Sequence, residues 1–158
     1  MNVAPSGRKV IVLVNGDFST RAAVAWAARW SLRTGDAIVL FHVIEPDHAM
    51  GFGVMQDLMR AEQWQAAERM LSTFSAYAEK LTGQMPAHLV REGSLKETVR
   101  EVLKDEADLS LLVIAASHRE SGPAPLIAYL ASRMGSRVMV PMVLVPGTMS
   151  AEEIDKMT

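Results

Sequence analysis

The sequence predicts an α/β domain: a single doubly wound, five-stranded, mostly parallel open sheet with helices on both faces. Three observations carry this. Five short apolar runs alternate with four helical patterns along the chain. The runs at 10–14 and 109–116 are apolar at nearly every position, as a strand covered on both faces requires. Each intervening helix is long enough to carry the chain back across the sheet, which makes the connections right-handed βαβ crossovers.

The elements follow in order. Val-Ile-Val-Leu-Val at 10–14 is β-branched and short, a buried strand. Asn15-Gly16 after it would suit a hairpin, but an alanine-rich amphipathic stretch at 21–33 follows, carrying Trp26 and Trp30 and stopping at Gly35. Asp17 or Ser19 is the natural N-cap of that helix. Residues 37–44 form a second strand, which Pro46 ends. A loop with Gly51 and Gly53 leads to a long helix at about 55–81, closed by Gly83, and then to a short strand at 87–90.

Ser94-Leu95-Lys96-Glu97 has the form of a capping box and opens a helix to about Lys104. Residues 109–116 are the fourth and central strand. Pro125 fits a first helical turn, and 126–137 supplies the next helix, frayed by Gly135. The fifth strand opens on Val140, closes on Val145 and is bounded by Pro146-Gly147. The core thus runs from about 9 to 147. The polar, acidic stretch at 148–158 is expected to be mobile or weakly helical.

Length and composition narrow the function. With 158 residues, 49% hydrophobic and 22% charged, the chain suits one domain with a substantial core. A net charge of -2 supplies no basic field for nucleic acid or an anionic membrane. Absence of cysteine excludes disulfides, thiolate metal sites and cysteine nucleophiles, and fits a cytoplasmic setting. No apolar stretch approaches the ~20 residues of a membrane span. The 11 methionines read as flexible core filler.

Ligands of open α/β sheets bind beyond the carboxyl ends of the strands, where the strand order reverses. If the first and fourth strands are neighbours there, Asn15, Gly16 and Asp17 face Ser117, His118, Arg119, Ser121 and Gly122. Backbone donors and Arg119 could then hold a phosphorylated ligand. Position alone favours the plainer reading of turn glycines and solvated strand ends. Neither G-x-x-x-x-G-K-[ST] nor G-x-G-x-x-G occurs. His42, His48, His88 and His118 lack metal-ligand spacing, and Ser117 with His118 lacks the geometry of a nucleophile and its base.

Several segments, in order, resemble the universal stress protein family of the UspA type. They are Val-Leu-Val-Asn-Gly-Asp-Phe-Ser at 12–19, Phe-His-Val-Ile-Glu-Pro at 41–46, Arg-Glu-Gly-Ser at 91–94, Ala-Asp-Leu at 107–109 and Pro-Met-Val-Leu-Val at 141–145. The resemblance implies strand order 3-2-1-4-5 and a homodimer joined through the strand at 140–145. It implies a non-catalytic stress-response or regulatory protein, and ATP or AMP as the nucleotides to consider. Family members that bind them carry Gly-x-x-Gly, nine residues, then Gly-Ser or Gly-Thr. Here Ala116 and Arg119 stand at the first two glycines and Tyr129-Leu130 at the final pair, and Asn15 replaces the turn aspartate. A Cβ at each glycine position narrows a phosphate cradle. The expectation is therefore a degraded nucleotide pocket around Asn15, Gly16, Val43, Ala116, Ser117, Arg119, Ser121 and Gly122. The alternative is a nucleotide-dependent switch in which Arg119 and His118 supply side-chain contacts and Val43 packs near the base.

Overall fold

The computed structural model describes residues 3–46, 53–117, 122–134 and 140–157. Five parallel strands lie in the order β3-β2-β1-β4-β5. They are β1 (Lys9–Leu13), β2 (Ala37–Ile44), β3 (Ala87–Glu92), β4 (Leu109–Ala116) and β5 (Met142–Pro146). The helices are α1 (Thr20–Thr34), α2 (Val54–Thr82), α3 (Leu95–Asp105), α4 (Ala124–Met134) and α5 (Ala151–Met157). Strand order reverses between β1 and β4, so the loops after these two strands leave the sheet side by side.

The period-2 alternation of strand side chains divides the core into two layers. Val10 and Val12 with Leu111 and Val113 face α1 and α2, where Ala23, Ala27 and Leu71 meet them. Ile11 and Leu13 with Phe41, Leu112 and Ile114 face α3 and α4, where Val99, Leu103 and Leu130 meet them. The alanines of α1 let that helix lie close to the sheet, while Trp26 and Trp30 stack on each other at 5.6 Å between ring centroids at its margin.

One expectation is sharpened and another changes. The stretch at 148–157, expected to be mobile or weakly helical, holds the helix α5, which folds against α1 and buries Ile154 to 1% exposure. Its start is a capping box, with Ser150 Oγ accepting from the Glu153 N–H at 3.2 Å and Glu153 Oε1 accepting from the Ser150 N–H at 3.4 Å. The box expected at Ser94 does not form. Ser94 occupies the N-cap of α3 in extended conformation, but its side chain makes no capping bond. Gly135, given as a fraying point of α4, lies outside the described residues.

The amino-terminal ends of the strands are tied by polar side chains. Asp36, 3% exposed, accepts from Ser6 Oγ at 2.6 Å and from Trp30 Nε1 at 2.7 Å. Burial alone would push its carboxyl up, but the hydrogen bonds of Ser6, Ser110 and Trp30, with the Arg8 charge, hold it below the usual carboxylate range. Beside it, the Lys9 N–H donates to the Asp108 carbonyl at 2.9 Å and Lys9 Nζ meets Glu106 at 3.3 Å.

Candidate functional site

Beyond the carboxyl end of β1 the turn into α1 is held by short polar side chains. Asn15 follows β1 and turns its side chain inward. Its Oδ1 accepts from the Asp17 N–H at 2.9 Å and from the buried Thr20 hydroxyl at 2.8 Å. Asp17 in turn accepts from the Ser19 N–H at 3.2 Å, which sets the entry into α1. These are the local side-chain to backbone bonds by which asparagine and aspartate shape turns. Gly16 has no positive φ, and a Cβ there would touch only Met70 Sδ at 4.0 Å, so the turn does not depend on a glycine at this position.

The dependence lies elsewhere. Gly147, after β5, donates its N–H to the Ala116 carbonyl at 2.8 Å and passes directly over Ser19. A Cβ on Gly147 would collide with Ser19 Cβ and crowd the Ala116 oxygen. The loops after β1, β4 and β5 therefore converge on one point. Ser19 Oγ is buried there without a hydrogen-bond partner among the described residues, in a residue only 8% exposed.

The described site residues among those predicted separate into three groups. Asn15, Gly16, Ala116 and Ser117 lie at the reversal point. Val43, 7% exposed, belongs to the apolar layer beneath α3 and α4. Gly122 lines a cavity of about 300 Å³ between the starts of α3 and α4, with Glu45, Ser94 and Lys96 on one side and Pro125 and Leu126 on the other. Arg119, Ser121 and His118 lie outside the described residues. Lys96, whose ammonium stands 5.9 Å from the Tyr129 ring centroid, is the cation in the wall of this cavity. Sequence reasoning missed Lys96, Thr20 and Gly147. The first sat inside a presumed cap motif, and the other two lacked any motif.

Of the remaining candidates, His48 lies outside the described residues, while His42 and Trp64 have structural partners. His42 Nδ1 is 2.7 Å from the Val14 carbonyl, so that nitrogen carries the proton and the ring braces β1 against β2. Trp64 donates its indole N–H to Glu92, which also accepts from Arg60 Nε at 2.7 Å. Among the described residues no three metal-ligating side chains gather at one point. No helix among them is long and apolar enough to cross a membrane.

Solved structures share this fold. Universal stress protein UspA from Lactobacillus plantarum is similar over 91% of this chain and 99% of its own, at 15% identity and a TM-score of 0.68. A universal stress protein from Archaeoglobus fulgidus, solved in complex with dAMP, is similar over 92% of this chain and 99% of its own, at 16% identity and TM-score 0.61. A universal stress protein family protein from Arabidopsis thaliana, solved with AMP bound, is similar over 92% of this chain and 94% of its own, at 17% identity and TM-score 0.60. No curated protein sequence matches the chain. The universal stress protein family model matches residues 7–146, covering all five strands and the loops at their reversal point, and the chain belongs to that family.

Proposed function

We propose that this protein is a cytoplasmic, homodimeric, non-catalytic regulator of the stress response whose nucleotide pocket has degenerated. The observation that carries this reading is the inward turn of Asn15. A carbonyl oxygen has two lone pairs, and Asp17 and Thr20 take both, which leaves Asn15 Oδ1 none to offer a sugar hydroxyl. Ala116 and Arg119 in place of the binding-loop glycines act in the same direction, since glycine lets a backbone approach phosphate where a Cβ would intrude.

A second reading, the nucleotide-dependent switch, is supported by the cavity between the starts of α3 and α4. Its volume of about 300 Å³ and the flanking Lys96 would suit a small anionic ligand. Relatives solved with AMP and dAMP make adenine nucleotides the first to try.

A thermal-shift titration separates the two. A ligand at a hundred times its Kd stabilises the folded state by about 2.7 kcal/mol. The degenerate pocket gives no shift with millimolar ATP or AMP, whereas a clear shift that is reduced by Lys96→Ala or Arg119→Ala would establish the switch. The homodimer is supported by β5, which pairs only with β4 and exposes Leu144 by 46% at the sheet edge. An uncovered apolar edge invites pairing with a second copy. Sedimentation should show a dimer at micromolar concentration, and a monomer there would exclude it.

A further inference from the structure

The structure assigns a ligand site, beneath the overhanging start of α2, to a small apolar molecule bearing one protonated amine. The site arises from a mismatch in length. α2 has 29 residues and is about 43 Å long, against about 26 Å for the 8 residues of β2. The helix therefore outruns the sheet. Its first fully buried residue is Ala67; in the stretch at 54–66 only Met59, Gln63 and Trp64 are partly covered and the rest is exposed. Between this overhang and the ends of β2 and β3 lies a cavity of about 330 Å³, within the range of small-molecule sites. It sits on the α1 and α2 side of the sheet, away from the cavity between α3 and α4.

Its walls are apolar at Ile44, Met59 and Ala66. Three charges line it, and two cancel: Arg60 and Glu92 are 2.7 Å apart, and Trp64 holds the same Glu92 carboxylate. Glu62 supplies the third and has no partner among the described residues. One uncommitted carboxylate beside an apolar wall favours a cation with an apolar body. It disfavours an anion of the same shape.

Three dansyl probes that differ in charge test this: dansylcadaverine (cationic), dansylamide (neutral) and dansylglycine (anionic). Dansylcadaverine should bind saturably, with energy transfer from tryptophan. Its affinity should exceed that of dansylamide by about threefold, the scale of an exposed ion pair. Glu62→Gln should erase that preference and leave dansylamide unchanged. Ala66→Trp and Met59→Trp fill the cavity and should each weaken both probes at least tenfold, with melting temperature confirming that either variant folds. Non-saturable binding, equal affinity for dansylglycine, or indifference to a folded cavity-filling variant would overturn the proposal.

Discussion

The two ends of the sheet treat buried polar groups in opposite ways. At the amino-terminal end, Asp36 sinks to 3% exposure, yet hydroxyl, indole and guanidinium groups from four other residues converge on it. At the carboxyl-terminal end, Ser19 Oγ is also inaccessible and has no partner among the described residues. An unsatisfied buried group costs free energy, whereas a fully partnered one is close to neutral or favourable. The first end is built for cohesion. The second carries an uncompensated cost, and it is also where the strand order reverses and the cavities open. Sites of function tolerate such costs when the surrounding fold is stable enough to hold them.

The contrast can be broken most severely at Asp36. Asp36→Ala strands the Trp30 indole and the Ser6 hydroxyl, and should lower unfolding stability by about 3 kcal/mol in urea denaturation. The same residue gives the acid limb of stability. Its folded pKa lies below the unfolded value of about 3.9, so the unfolded chain binds more protons between the two. The contribution is complete above about pH 4 and is lost as pH falls through the folded value. Glu92, held low by Arg60 and Trp64, acts in the same direction. Wild-type and Asp36→Asn unfolding curves measured from pH 6 downwards should therefore converge on acidification, and a constant gap would refute the assignment.

Next in size is Gly147→Ala, which forces a methyl group into Ser19 and the Ala116 carbonyl. The expected loss is about 2 kcal/mol, the scale of overpacking. The corresponding change at Gly16, where the space is open, should cost far less. Smallest, and opposite in sign, is Ser19→Ala. Removing a buried hydroxyl with nothing to bond should raise stability by about 1 kcal/mol. A loss would mean that the hydroxyl is satisfied in solution and that the two ends are more alike than the structure shows.

The strands were legible because their message is coarse. β2 and β4 fall at 37–44 and 109–116 as the apolar runs indicate, and strand order follows from the family resemblance. Side-chain bonding was much less legible, and one motif shows why. Ser-x-x-Glu occurs at both 94–97 and 150–153. The first announces a helix whose cap bond is never made, while the second, in a stretch expected to be mobile or weakly helical, makes it. The motif states what two residues can do locally. An apolar face to bury does not decide the outcome, since α3 buries Val99, Val102 and Leu103 without the cap bond, while α5 buries only Ile154 and makes it. The site was half legible for the same reason. Loop position could be read from the strand order, but the direction in which Asn15 points depends on Thr20, a residue with no motif to draw attention to it.

The placing of β1 at the middle of the sheet also governs how the chain comes off the ribosome. β1 is the first strand made, yet its second neighbour is β4, with Val12 pairing to Val113 some hundred residues later. At about 5–20 residues per second, synthesis leaves that edge bare for roughly 5–20 s. The waiting strand is apolar on both faces, with Val10, Ile11 and Val12 all fully buried in the finished fold. Until β4 is made, that edge of β1 presents unpaired backbone groups between apolar faces, the kind of surface through which incomplete chains associate.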